Sequence, residues 1–268
     1  MKTFTKESLK AELRAIAETG WIQSPKDTSS GSRNDGAAGN LLETLLGIEE
    51  NNLPLPNAAE WELKVQRKGT SSLLTLFHSE PSPTGLKFVP NILLPKYGWA
   101  HTQAGRKYPA GERSFRQTIS SVNRSDRGFK VLIDSEKVII SFDSKSVSEK
   151  HNEWLTSVLS LAGPGELDPI PYWGFSDLEK KIASKLHNTF YVTAEVKKED
   201  GQEFFRFSKL EMLRGFTLKG FLDCLAEGTA FVDFDARTGH NHGTKFRIKQ
   251  NKIPTLYKDH SLVFDLNS

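Results

Sequence analysis

The chain has 268 residues, 37% of them hydrophobic and 26% charged, with 17 Phe and 5 Trp. That length suits one large domain or two packed lobes with a sizeable core, the composition excludes wholesale disorder, and no apolar run approaches the ~20 residues of a membrane span. The net charge of +3, from 36 basic and 33 acidic residues, names no partner by itself, and the single cysteine, Cys224, excludes an internal disulfide or a zinc site built on Cys pairs.

In chain order, Leu9, Leu13, Ile16 and Ala17 recur at helical spacing and predict an amphipathic helix stopped by Gly20. No continuous apolar leader precedes it, so a cytoplasmic, reducing setting is expected. The polar stretch SPKDTSSGSRNDG then predicts a long mobile loop, a candidate lid or a surface excursion. A second helix starts near Asp35, buries Leu41, Leu42, Leu45 and Leu46, carries Glu43 among them, and ends at Gly47. EWELKV alternates, with Trp61, Leu63 and Val65 on one face and Glu60, Glu62 and Lys64 on the other; SLLTLFH follows closely and predicts an antiparallel partner for it. KVLID and KVIISFD, separated by Ser135 and Glu136, predict a hairpin. Helices carrying Trp154 to Leu161 and Leu178, Ile182 and Leu186 come next, then the strand TFYVTAEV. EFFRF (strand), TLKGFLDCLAEG (helix), TAFVDFDA (strand), a Gly/His-rich loop and the short strand KFRIK complete the chain. The fold class is α/β in the mixed α+β sense, with a largely antiparallel or mixed sheet.

Charge is concentrated in two stretches. Residues 101–130 hold Arg106, Lys107, Arg113, Arg116, Arg124, Arg127 and Lys130 against Glu112 and Asp126; residues 237–252 hold Arg237, Lys245, Arg247, Lys249 and Lys252 and no acid. Basic loops of this kind suit two walls lined for phosphates, although ordinary solvated loops look the same on charge alone. There is no P-loop, dinucleotide glycine motif or Ser-His-Asp arrangement, so no nucleotide cofactor is expected. Cys224 lies on an apolar helix face and is expected to be a buried, inert thiol. His240 and His242 lack the further ligands a zinc site needs, so base or phosphate contact is the better reading.

The informative feature is Glu62-x-Lys64, which places a carboxylate and an ammonium on one strand face. Such a pair is common on the rim of a half-exposed strand, but Glu43 on the preceding helix, Asn57 five residues earlier and His78 at the end of the next strand lend it weight. Metal-assisted phosphodiester hydrolysis needs carboxylates to hold Mg²⁺ against a phosphate oxygen and a cation to act on the attacking water or the developing charge.

At these residues the chain resembles a known family. The run GAAGNLLETLLGIEENNLPL, EWELK, SSLLTLFH, YGWAH, SFRQTIS, YWGFSDLEKKI and GHNHGTKFRI is similar, co-linearly over most of the chain, to the MvaI/BcnI family of type II restriction endonucleases, of the MutH-like branch of the PD-(D/E)XK nucleases. The resemblance implies a MutH-like nuclease fold with a central mixed sheet flanked by helices, bilobal with a DNA cleft. It divides roughly into a catalytic lobe, 1–150, and a DNA-recognition lobe, 151–268. It further implies a monomeric enzyme with Mg²⁺ as cofactor and double-stranded DNA as partner, cutting one strand per visit at a short site of the CC-x-GG kind, alongside a cognate DNA methyltransferase. By position Glu62 corresponds to the acidic metal ligand, Lys64 to the catalytic lysine and Glu43 to the helix glutamate supporting the site. His78, His240, Asn241, His242, Lys245 and Arg247 correspond to DNA-reading positions, and the basic stretch adds Arg106, Arg116 and Arg124.

The sequence departs from the family at Asn57, which takes the place of the aspartate in D-x4-E-x-K and would be the second metal ligand beside Glu62. An amide can offer a carbonyl oxygen but removes one charge, which predicts weaker metal binding and slower cleavage with DNA binding retained. An introduced inactivating substitution, a naturally degenerate member and an active enzyme recruiting Glu60 or Glu43 all remain open. So do two rival activities, a DNA-binding relative that does not cut and a MutH-like nicking enzyme. At Asn241 the family segment has aspartate; both side chains can accept from cytosine N4, but Asn also donates.

Overall fold

A computed structural model describes residues 4–25, 36–48, 60–70 and 72–268, with only the backbone of Lys185. In chain order the elements begin with α1 (Lys6–Glu18), β1 (Ile22–Gln23), α2 (Ala37–Leu46), β2 (Trp61–Arg67), β3 (Leu73–His78), β4 (Trp99–Ala100) and β5 (Arg113–Ile119). They continue with β6 (Arg127–Ile133), β7 (Lys137–Val147), α3 (Asn152–Ala162), β8 (Tyr172–Gly174), α4 (Phe175–Lys185) and β9 (Asn188–Glu199). The last are β10 (Gln202–Phe216), α5 (Leu218–Ala226), β11 (Ala230–Arg237), β12 (His240–Lys249) and β13 (Tyr257–Asp265). The expected long loop falls largely on residues 26–35, outside the described residues, as does Asn57.

The chain forms two compact units: residues 1–72, 179–220 and 250–268 in the first, 73–178 and 221–249 in the second. The division expected near residue 150 is not where the contacts divide, because that residue lies inside the second unit. The reason is a pairing no local pattern reveals: β2 runs parallel to β9, Trp61 opposite Asn188 and Arg67 opposite Ala194. Parallel neighbours need a long crossover, and here the crossover holds most of the second unit.

In the first unit, β10 lies between β9 and the pair β1 and β13, with β2 beyond β9, making a mixed five-stranded sheet. Period-two alternation puts Trp61 and Leu63, Phe190, Val192 and Ala194, Phe205, Phe207, Leu210 and Met212 on one face. There they form one core with Leu9, Leu13, Ile16 and Ala17 of α1 and Leu41, Leu42 and Leu46 of α2. Trp61 and Phe190 stack at 4.4 Å between ring centroids. Thr5 caps α1, its hydroxyl accepting from Ser8 N at 3.1 Å, and Gly47 ends α2 at φ +68°, a left-handed turn that suits glycine. Leu45, expected in the core, is 41% exposed instead, because the α2 stripe is narrower than its run of leucines.

The second unit has two sheets, ordered β3-β12-β11-β5-β4 and β6-β7-β8. The expected β6–β7 hairpin is present, Ile133 opposite Val138. β3, however, does not pair with β2; it pairs antiparallel with β12, where Phe77 packs on Phe221 and Phe246. The Gly/His-rich stretch is likewise not a loop: β11 and β12 form a hairpin turning at Thr238 and Gly239, and His240, Asn241 and His242 stand on the strand. Part of the basic stretch 101–130 is strand β5, paired with β11. Cys224 is buried, as expected.

Candidate active site and nucleic-acid interface

The polar face of β2 carries Glu62, Lys64 and Gln66. In the parallel register these stand opposite Thr189, Tyr191 and Thr193 of β9, so every polar-face residue of β9 along this row bears a hydroxyl. Glu62 is only 2% exposed, and its Oε1 lies 2.7 Å from Lys64 Nζ, whose side chain is 16% exposed. The pair is therefore buried rather than a solvated rim. The Tyr191 hydroxyl is shared between Gln66 Oε1 (2.7 Å) and the Gln250 carbonyl (2.9 Å), and Gln66 Nε2 donates to Thr193 Oγ1 at 2.8 Å. Thr189 Oγ1 and the Tyr257 hydroxyl lie 2.7 Å apart.

Burial pushes both phenols above the ordinary tyrosine range. The Glu211 carboxylate adds to this at Tyr191, and Glu62 adds to it at Tyr257 against the opposing Thr189 hydrogen bond. Both stay neutral. One strand further on, buried Glu211 holds Lys209 Nζ at 2.8 Å and His260 Nε2 at 2.7 Å. Thr189, Tyr191, Tyr257 and Glu211 went unnoticed in the sequence, though Thr189-x-Tyr191-x-Thr193 alternates with apolar residues and was open to the same period-two reading as EWELK.

Glu43 is half-buried on α2 and lines a cavity of about 270 Å³ with Ser24, Pro25, Asn40 and Thr44. Among the described residues, no group of three or more His, Cys, Asp or Glu side chains is arranged to hold a metal ion. Mg²⁺ is nevertheless commonly held by one or two carboxylates, with water and substrate phosphate completing its octahedron. A fixed, buried Glu62 carboxylate beside an ammonium fits that hard-oxygen chemistry.

In the second unit the strands β3, β12, β11 and β5 present a polar face. Arg116 Nε lies 2.7 Å from Asp235 Oδ1, and Lys245 Nζ 3.4 Å from Asp235 Oδ2. Arg247 lies 3.5 Å from Asp233 and donates to the Leu73 carbonyl at 2.7 Å, and Thr118 donates to Asp233 at 2.6 Å. With Thr75 and Gln117 these residues line an open cavity of about 330 Å³. The segment 237–252, without acid in its own sequence, thus meets its acids across the β11–β12 ladder.

His78 is exposed at the end of β3, opposite Lys245. His240 and His242, also exposed, place their rings 4.2 Å apart, and Asn241 Oδ1 accepts from Gly243 N at 2.9 Å. Gly243 has φ +79°, and a Cβ there would sit 3.3 Å from the His78 ring, so both conformation and space favour glycine. Partial desolvation, with the charges of His240, Lys245 and Arg116, holds the exposed His242 below the ordinary histidine range against the pull of Asp235.

The remaining cations divide by role. Arg106 is exposed. Arg124 ties its loop to the β6–β7 hairpin, donating to the Gly128 carbonyl (2.9 Å) and to Ser141 Oγ (3.1 Å). Arg127 stacks over Trp99 at 4.0 Å, and Arg237 pairs with Glu112 at 2.8 Å. Part of the basic charge is structural, a distinction invisible to charge counting.

No curated protein matches the chain. Among solved structures, the restriction endonuclease MvaI in complex with its cognate DNA substrate is 22% identical with a TM-score of 0.75, covering 97% of this chain and 99% of that one. MvaI in the absence of DNA is 23% identical with a TM-score of 0.52, covering 98% and 100%. These likenesses concern the fold. Residues 10–257 match the family model described as the MvaI/BcnI restriction endonuclease family, and with nearly the whole chain matched, the protein belongs to the MvaI/BcnI restriction endonuclease family.

Proposed function

We propose that the protein is a Mg²⁺-dependent endonuclease that cleaves duplex DNA at a short, CC-x-GG-like sequence, acting as a monomer of MutH-like type and one strand at a time. The observation that carries this is the buried Glu62–Lys64 pair, 2.7 Å apart, on a strand inside the family match. Glu62 and the carbonyl oxygen of Asn57 would hold the metal, which when bound polarises the scissile phosphate and lowers the pKa of a nearby water. Lys64 has three N–H donors, so its bond to Glu62 leaves donors for that water or for a phosphate oxygen. Glu43 supports the site from α2.

Arg116, Lys245 and Arg247, oriented by Asp233 and Asp235, read base edges together with His78, His240, Asn241 and His242. Arg106 and, to a lesser degree, the loop-braced Arg124 contact phosphate. Asn57 favours a second reading, binding without cutting, since one charge is missing from the metal ligands. A Ca²⁺ gel-shift beside a Mg²⁺ plasmid-cleavage assay, on this chain and on Asn57→Asp, tests both. Cleavage of both strands at one sequence supports the endonuclease; a gain only in Asn57→Asp shows that Asn57 silences it. A shift without product in either protein leaves the binder, a nick confined to one strand favours a repair-type enzyme, and no shift at all sinks the reading.

A further inference from the structure

The Glu62 carboxylate can accept about four hydrogen bonds, and at 2% exposure bulk water supplies few of them. Lys64 serves one oxygen. Directly opposite on β9 is Thr189, wholly buried, with the Tyr257 hydroxyl 2.7 Å from its Oγ1. Tyr257 is the first residue of β13 and pairs with Phe216, so it reaches Thr189 from an element separate in sequence from both β2 and β9. Its ring packs edge-on against Phe216 at 5.1 Å, which fixes the phenol's direction.

Resting on the metal-nuclease reading above, we infer that Tyr257 is a positioning residue that acts through Thr189 to fix the Glu62 carboxylate. A phenol that donates to Thr189 Oγ1 leaves the threonine proton to turn toward β2, so the hydroxyl pair forms an ordered, neutral wall beside Glu62. Fixed dipoles of this kind hold a ligand carboxylate in one orientation without adding charge, and loss of such a supporting contact typically costs about 10- to 100-fold in metal affinity or activity. A purely structural Tyr257 would instead only anchor the start of β13.

The test uses the full chain and its Asn57→Asp form, each carrying Tyr257→Phe, Thr189→Val or Thr189→Ser. Mn²⁺ binding is measured by calorimetry without DNA, with melting temperature beside it. Trp154→Phe, which removes a hydrogen bond to the Tyr97 carbonyl in the second unit, controls for loss of stability alone. Tyr257→Phe and Thr189→Val are expected to weaken Mn²⁺ binding about 10-fold while Thr189→Ser and Trp154→Phe stay within about 2-fold of their parent. Where the parent cleaves, kcat falls and KM holds. Unchanged Mn²⁺ affinity in both Tyr257→Phe and Thr189→Val, or equal losses in Thr189→Ser and Thr189→Val, overturns the positioning role alone. No Mn²⁺ binding by either parent overturns the metal-nuclease reading and this inference with it.

Discussion

The two units each present one apolar and one polar sheet face, and the polar faces are built on opposite plans. In the first unit the row of Glu62, Thr189, Tyr191 and Glu211 is buried, and its two carboxylates, each in a close ion pair, stand beside neutral hydroxyls. In the second unit the face is open, and Arg116, Lys245 and Arg247 alternate with Asp233 and Asp235, three cations to two carboxylates. A reacting centre gains from low exposure and fixed dipoles, since electrostatic effects strengthen as water is excluded. A reading surface needs donors and acceptors that stay available to base edges, held by partners they can exchange. The contrast therefore predicts that substitutions in the first unit change rate and those in the second change which sequences are bound.

The sharpest break is Lys64→Met. In whichever of the parent and Asn57→Asp cleaves, its rate is expected to drop by about 10² to 10⁴, with duplex affinity in Ca²⁺ changed less than about 3-fold. Because the substitution removes the cation beside a carboxylate that is 2% exposed, unfolding stability at neutral pH is expected to fall by about 3 kcal/mol, read by urea denaturation. A large loss of sequence selectivity instead would erase the division of labour.

In the second unit, Asp235→Asn keeps shape and removes the charge that Arg116 and Lys245 share. Losing a negative group that faces phosphate raises affinity for any duplex, while the freed cations lose their fixed direction. Discrimination at the affected base pair is expected to weaken by about 1–3 kcal/mol, measured as the ratio of specific to non-specific affinity at one salt concentration. Equal tightening on all sequences, with the ratio preserved, would show that Asp235 does not orient its partners.

Periodicity made the local parts of both faces legible. The alternation at Trp61, Glu62, Leu63 and Lys64 was visible in the sequence, as were α1, α2 and the β6–β7 hairpin, because each depends on neighbours within a few residues. What it concealed were long-range choices. EWELKV and SLLTLFH are both good strands close in sequence, yet Trp61 finds its partner in Phe190 and Phe77 finds its own in Phe246. Register between distant strands also decided charge: 237–252 looks purely basic until Asp233 and Asp235 appear opposite. Glu62 looks half-exposed in the sequence for the same reason, since nothing near it there announces its 2% exposure in the fold.

A smaller effect separates phosphate contact from base reading. Arg116 is paired with Asp235 yet its side chain is 62% exposed. With Arg116 as a base reader, Arg116→Gln is expected to alter base preference; a fall of about 1 in the slope of log affinity against log salt would instead assign the guanidinium to phosphate.

The smallest expected effect concerns pH and falls on the open face. His242 is held below the ordinary histidine value by partial desolvation and by His240, Lys245 and Arg116, with Asp235 opposing, so it gains its proton at a lower pH than an ordinary histidine does. Folding opposes that proton: with the native value below the unfolded one, the unfolded chain binds the proton first, and stability declines as pH falls through the unfolded value. Duplex DNA bound beside His242 would favour it, since the polyanion stabilises a charged ring. DNA affinity is therefore expected to rise a few-fold, about 3-fold per pH unit or less, between pH 7 and pH 5.5 while the melting temperature of the free protein slips. His242→Gln is expected to flatten both trends, and binding isotherms with parallel melts across this range check it. A parent whose affinity stays level over the same range would show that His242 lies away from the phosphates.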